Sequence, residues 1–166
     1  MRKEEYSDIE KIRELNAEAF ESEEEADLVN SLRDSGIPRI SLVAEEAGEI
    51  VGHILFTPVE LAGDDSRLKL SGLAPMAVAP EHQRQGIGSA LVEAGIAECR
   101  AQGYDVIVVL GHPGYYPKFD FIPSVKYGIK SEYDVPHDVF MVMELKEGVL
   151  TGKEGTIKYH KAFGGE

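Results

Sequence analysis

The amino-acid sequence predicts a single domain of mixed α/β class, and three observations carry that prediction. Between Leu68 and Leu110 a strand-like run, a glycine-rich helix start and an unbroken apolar run follow one another. That is the βαβ pattern of a parallel strand pair with a right-handed crossover. Upstream, two stretches of helical period lead into two strand-like runs joined by a short turn. The 166 residues suit one domain with a sizeable core, and no internal repeat or Pro/Ser-rich linker divides them.

The first helix is expected from Ser7-Asp8-Ile9-Glu10, a capping-box pattern in which the serine oxygen accepts an early amide and Glu10 reaches back. Ile9, Ile12, Leu15, Ala19 and Phe20 recur at helical spacing and predict one buried stripe. A second box, Ser22-Glu23-Glu24-Glu25, opens a helix carrying Ala26, Val29 and Leu32, which Gly36 and Pro38 stop. The acidic residues 23–27 lie where a helix dipole favours negative charge; they would also suit the flank of an amine pocket.

Residues 40–45 and 49–57 read as a hairpin turned at Gly48. Along its second strand Ile50, Ile54 and Phe56 are expected on one face, with Val51, His53 and Leu55 on the other. Ala62-Gly63-Asp64-Asp65-Ser66 is a polar loop. Residues 68–78 form a strand interrupted at Pro75, because proline cannot donate to a ladder. The next helix spans residues 86–100, with Ile87, Leu91, Val92, Ile96 and Cys99 apolar and Gly103 as its cap. Val106–Leu110 is apolar throughout, as in a strand covered on both faces. An aromatic segment, residues 112–121, and a strand at residues 139–145 follow; residues 148–166 show no clear periodicity.

The formal charge of −13 argues against sequence-independent nucleic-acid binding. It would suit a cationic substrate such as an amine, although acidity also serves solubility. No apolar run approaches the roughly 18 residues of a membrane span, and the first residues lack a secretory signal's apolar stretch. Cys99, the one cysteine, excludes an internal disulfide framework. The expectation is a soluble cytoplasmic protein without nucleic-acid or membrane partners. The five histidines are dispersed and no metal-ligand spacing occurs, so no metal is expected.

Chemistry concentrates at residues 73–91. A strand end, a short turn and a glycine-rich helix start make an anion site, since free amides at a helix N-terminus point outward and the dipole reinforces them. Gly86 and Gly88 let a phosphate approach the backbone, and Arg84 offers a charge-assisted bond. No Walker A string is present, and the dinucleotide fingerprint is incomplete, with Leu91 at the third glycine position. On spacing alone, a purely structural turn stays open.

Gln83-Arg84-Gln85-Gly86-Ile87-Gly88 resembles the Q/R-x-x-G-x-G/A signature of the GNAT superfamily of N-acetyltransferases. It follows Met76-Ala77-Val78-Ala79-Pro80, where that superfamily places its cofactor-binding strand. Tyr116-Pro117-Lys118-Phe119-Asp120-Phe121 is similar to the family's Y-x-x-x-G-F element. Ser41-Leu42-Val43-Ala44-Glu45, Leu73-Ala74-Pro75-Met76-Ala77-Val78 and Leu110-Gly111-His112-Pro113 resemble more narrowly a branch of small predicted acetyltransferases called YhbS-like. The likeness spans residues 6–145, leaving 146–166 as a C-terminal extension of one acetyltransferase domain.

The resemblance implies a central mixed, mostly antiparallel sheet with a splayed parallel pair and flanking helices. It implies acetyl-CoA as acyl donor, with pantetheine held by the backbone of Met76, Ala77 and Val78. The pyrophosphate would be wrapped by the amides of Arg84, Gln85, Gly86, Ile87, Gly88 and Ser89. It implies direct attack of a neutral amine on the acetyl carbonyl through a tetrahedral intermediate, with Tyr116 as proton donor to the departing thiolate. Asp120 departs from the family's glycine and is read as substrate ligand, turn cap or distortion. No general base is assigned. His53 and His112 are candidates by their ordinary pKa, each also readable as structural. A CoA-binding sensor without turnover, and a transferase of longer acyl groups, stay open as alternatives. So do the acceptor, a small-molecule or peptidyl amine, and a homodimeric state.

Overall fold

The computed structural model describes residues 1–62 and 68–163. Most of the expected polar loop, Gly63 to Ser66, lies outside the described residues, as does the end of the tail from Gly164. The chain forms two compact units: Met1–Thr57 with Ala74–Glu98, and Pro58–Leu73 with Cys99–Glu166.

In the first unit, β1 (Arg2–Lys3), β2 (Ile40–Glu46) and the first part of β3 (Glu49–Ala62) pair antiparallel in that order. Ala47 and Gly48 both adopt positive φ, 52° and 82°, giving the two-residue turn whose twist matches a hairpin. Helices α1 (Ile9–Phe20) and α2 (Glu24–Asp34) precede the hairpin. Ile12 and Leu15 of α1, and Ala26, Val29 and Leu32 of α2, are buried as their spacing predicts, whereas Phe20 is 39% exposed and outside the stripe.

Both helix starts differ in detail from the sequence expectation. The first box forms two residues earlier, on the 3-10 turn Tyr6–Asp8 that leads into α1: the Asp8 carboxylate accepts Glu5 N–H at 2.7 Å, and Arg2 grips both Asp8 oxygens at 2.7 and 3.0 Å. The arginine fork fixes the Asp8 carboxylate as the reciprocal partner of Glu5, the N-cap of that turn. Ser22 Oγ accepts from Glu24 N–H at 3.1 Å, a two-residue serine turn that starts α2.

The face assignment of Ile50 is also corrected. Ala44 pairs with Gly52 and Glu45 with Ile50, so Val51 is the extra residue of a bulge. Beyond it the alternation inverts, and Ile50 packs with Leu15, Ala19, Ala77 and Ala79. Phe56 and Gly52 face instead toward α3 (Ile87–Ala101): the Phe56 ring fills the space beside Gly95, and Gly52 lies against Ile87 and Leu91.

In the second unit, β4 (Leu70–Val78) runs parallel to β5 (Val106–Leu110) in register from Leu70/Val106 to Leu73/Val109. On its other edge β5 pairs antiparallel with β8 (Phe140–Glu144), which pairs with the short β6 (Ile122–Pro123). The sequence gives no periodic signal for β7 (Ile129–Ser131) or β9 (Gly155–Lys158), yet β9 pairs with β7 and with the end of β3 at Glu60–Ala62. Val59, Leu61, Val106, Val108, Phe140, Val142 and Ile157 form this unit's apolar core. Gly103, at φ 83°, ends α3, with Tyr104 N–H returning to Cys99 O at 3.0 Å. Cys99 itself is fully buried in the core.

Candidate active site

The segment leaving β4 shows how this sequence makes an anion cradle. Val78 ends the strand, and Ala79 N–H donates to Val51 O at 2.8 Å, fixing the exit point. Pro80–His82 makes one 3-10 turn. The next residues are tied by side chains rather than by a ladder: Gln83 Nε2 donates to Val78 O at 3.1 Å and Gln85 Nε2 to Glu81 O at 3.4 Å. Within this loop Arg84 and Gly86 both take left-handed φ, 64° and 85°. Such alternation turns successive N–H groups to one side, the geometry of an anion-binding nest. A Cβ at Gly86 would meet nothing within 4 Å, so glycine is required there by φ and not by crowding.

Helical bonding in α3 begins with Ala90 N–H to Gly86 O at 3.0 Å. The amides of Ile87 and Gly88 precede it and have no carbonyl one turn earlier in the helix, so they point out of its N-terminus with the dipole behind them. Arg84, Gln85 and Gly86 are exposed, and Ile87, Gly88 and Ser89 half-buried. The six residues therefore lie together on one continuous loop and helix start. Met76 and Val78 are half-buried on β4 and Ala77 is buried. The register with β5 stops at Leu73, three residues before Met76.

Tyr116 lies in the second unit, in the 3-10 turn Tyr116–Phe119 that follows β5. It is 8% exposed, with Tyr115 and Phe121 edge-on at 5.0 and 5.7 Å between ring centroids. Burial, with a smaller contribution from the Tyr115 hydroxyl, pushes its pKa up to about 12, so it keeps its proton at neutral pH. Its ring stands where a Cβ on Gly111 would collide with it. Asp120, the departure from the expected glycine, has φ 79° and ends the 3-10 turn, its N–H donating to Pro117 O at 2.9 Å. The position needs a left-handed residue; aspartate is among the few non-glycine residues that enter this region readily. Of the three readings of Asp120, the turn cap is the one the backbone bears out.

The two histidine candidates separate. His112 is exposed. His53 is fully buried, and both ring nitrogens are engaged, Nε2 with Ser41 Oγ at 2.9 Å and Nδ1 with Asn16 Nδ2 at 3.3 Å. Ser41 donates its single proton to Glu4 Oε1 at 2.7 Å, so its oxygen accepts from His53 Nε2–H and leaves Nδ1 as the acceptor. Burial drives the His53 pKa down to about 4, against the pull of Glu4. Glu4 in turn is held below the usual range: burial opposes its charge, but the bonds from Arg33, at 2.9 and 3.2 Å, and from Ser41 prevail. This buried row was not legible in the sequence, because Glu4, Arg33, Ser41 and Asn16 come from four separate segments. A fully buried, neutral imidazole does not touch a substrate, so His53 is structural.

With the loop and the tyrosine turn described, comparison with known proteins places the chain. Residues 1–123 match the model of the acetyltransferase (GNAT) domain, and the chain belongs to the GNAT family of acetyltransferases. It is 34% identical over 146 residues to the uncharacterised N-acetyltransferase YhbS of Escherichia coli K12, covering 87% of this chain and 86% of the relative. It is 41% identical over 135 residues to the uncharacterised N-acetyltransferase YjhQ of the same strain, covering 80% and 75%. The crystal structure of Escherichia coli YhbS in complex with CoA superposes with a TM-score of 0.93 at 33% identity, over 98% of this chain and 90% of that one. A GNAT acetyltransferase from Brucella melitensis in complex with acetyl-CoA superposes with 0.79 at 32% identity, over 98% and 96%. The fold is thus the GNAT fold that the sequence resemblance implied. Among the described residues no cluster of metal-ligating side chains occurs and no helix is long and apolar enough to cross a membrane.

Proposed function

We propose that this chain transfers an acetyl group from acetyl-CoA to a primary amine, and that residues 1–166 act as one catalytic domain. The observation that carries the reading is the left-handed pair Arg84 and Gly86 opening into the start of α3, which presents backbone amides and a guanidinium to an anion. Two relatives named for complexes with CoA and acetyl-CoA support the choice of ligand.

In this reading the amides of Arg84, Gln85, Gly86, Ile87, Gly88 and Ser89 wrap the pyrophosphate, and the Arg84 side chain adds a charge-assisted bond. The backbone of Met76, Ala77 and Val78 bonds the pantetheine as a further strand would, since the register with β5 ends before them. Acetyl-CoA supplies an activated carbonyl. The amine nitrogen forms the new bond to that carbon, an oxyanion develops on the tetrahedral centre, and the C–S bond then breaks. Tyr116, protonated at neutral pH, donates its proton to the departing sulfur and regains one through water from the nitrogen as the amide forms. The proton shed by the amine goes to water; no side chain is assigned as its base. A cytoplasmic setting and a small-molecule or peptidyl acceptor complete the proposal.

The test is acetyl-CoA binding by calorimetry together with free-thiol release, on the parent, Gly86→Glu and Tyr116→Phe. Gly86→Glu is expected to abolish binding, because it places a strained residue and a negative charge in the cradle. Tight binding with no thiol release from any amine would turn the reading into a sensor. No binding by the parent removes it altogether.

A further inference from the structure

The anion cradle of the first unit contains a backbone conformation that needs support. Arg84 carries a side chain yet holds φ at 64°, a region that a non-glycine residue keeps only where its surroundings hold it there. The bonds from Gln83 Nε2 to Val78 O and from Gln85 Nε2 to Glu81 O both close within residues 78–85. They shape the loop without tying it to the hairpin alongside.

Two contacts inside the same unit reach that hairpin. Ala79 N–H donates to Val51 O at 2.8 Å where the loop begins. Three residues on, the imidazole of His82 faces the carboxylate of Glu46, the last residue of β2, with Nδ1 3.4 Å from Oε2. The Nδ1 atom is sealed from solvent and closes no aligned hydrogen bond, and Glu46 is the charged group it meets. An ionised carboxylate only accepts, and a bare lone pair buried against it would be repelled. Nδ1 therefore carries the ring's proton. This contact stands two residues before Arg84, where the backbone enters the left-handed region.

We propose that Glu46 and His82 form a latch that holds the loop in its anion-binding shape, which makes His82 a positioning residue for the pyrophosphate of the acyl donor. The proposal rests on the acetyl-CoA reading above. A loop already held in the bound shape loses less conformational freedom when its ligand arrives. The Ala79 bond fixes one end of the loop and α3 the other, and the latch removes freedom left between them. Neither side chain has to touch the ligand. Because the Glu46 side chain is 58% exposed, the pair acts at the scale of a partly solvated ion pair, a few-fold in affinity.

Calorimetric titration of the full chain with acetyl-CoA and with S-acetylpantetheine, which lacks the pyrophosphate, tests the latch. Glu46→Ala and His82→Ala are each expected to weaken acetyl-CoA about threefold to fivefold and to leave S-acetylpantetheine unaltered. The double variant is expected to lose no more than either single one, since the two side chains act as one contact. His82→Asn is expected to regain the parent's affinity, because its amide nitrogen takes the place of Nδ1–H. Urea unfolding of each variant is the control for folding. Glu46→Ala changes an exposed side chain, so the test survives if His82→Ala fails to fold. Unaltered acetyl-CoA affinity in the alanine variants, additive losses in the double variant, no rescue by His82→Asn, or an equal loss for S-acetylpantetheine overturns the latch and leaves the acetyltransferase reading standing. A parent that binds no acetyl-CoA overturns that reading and the latch with it.

Discussion

The Tyr116 ring occupies the space that a side chain on Gly111 would need, so the glycine at the end of β5 sets how closely the tyrosine can approach the strand. This contact converts a backbone position into a condition on the proposed proton donor. Gly111→Ala is expected to push the ring outward at a cost of about 1–3 kcal/mol in stability, the range for overpacking. Turnover should fall about tenfold or more, because proton transfer needs the donor within hydrogen-bond reach. Thermal unfolding and thiol release, measured with acetyl-CoA binding as the control, check both parts. An unchanged rate would mean that the ring's position is irrelevant to the chemistry.

Tyr116→Phe removes the proton without removing the ring. The expected result is a loss of about a hundredfold in kcat, at the lower edge of general acid catalysis, with acetyl-CoA affinity unaltered. The pH profile gives a second check. Since burial raises the tyrosine to about 12, the parent should show no alkaline fall in kcat from this group up to about pH 10.

His53 makes the fold acid-sensitive. Its folded pKa of about 4 lies below the ordinary 6.5. Below the ordinary value the unfolded chain takes up a proton that the folded chain excludes, so stability falls as pH drops from 6.5 toward 4. The loss over that window is about 3 kcal/mol. Glu4 and Asp8, whose pKa values are lowered, act with the opposite ordering: their contribution is full above the ordinary carboxylate range and is lost only at lower pH. Urea unfolding at pH 7, 6, 5 and 4.5, roughly spanning that window, should show the slope in the parent and a flatter one in His53→Gln.

Asp120 tests the turn reading. A β-branched residue enters the left-handed region poorly, so Asp120→Val should cost about 1–2 kcal/mol, while Asp120→Asn and Asp120→Gly stay within about 0.5 kcal/mol of the parent. Retained thiol release in Asp120→Asn separates the cap from a substrate-binding role, which the loss of charge would impair.

Where one period dominates, the sequence was readable: α1, α2, the hairpin, the parallel pair and the left-handed cap of α3 all follow from spacing and glycine placement. The glycines of the cradle were readable for the same reason, since Gly86 serves a φ that other residues resist. Three features were not. The bulge at Val51 changes the face of Ile50 without any change in residue type. The strands β7 and β9 are too short to show alternation, and their pairing is set by partners far along the chain. The row from Arg33 through Glu4, Ser41 and His53 to Asn16 joins five segments, and no local pattern encodes such a meeting.

The strand β3 belongs to both units, changing from one to the other at Pro58, and β4 changes back between Leu73 and Ala74. Neither unit is a contiguous stretch of polypeptide. During vectorial synthesis the hairpin emerges early, but the first unit lacks its last helix until residue 98 has been made, and residues 58–73 must meanwhile wait for partners in β5 and β9. No single cut leaves one unit whole and the other removed. Limited proteolysis should therefore yield no stable half, and a nick in either crossing strand should release both units to unfold together.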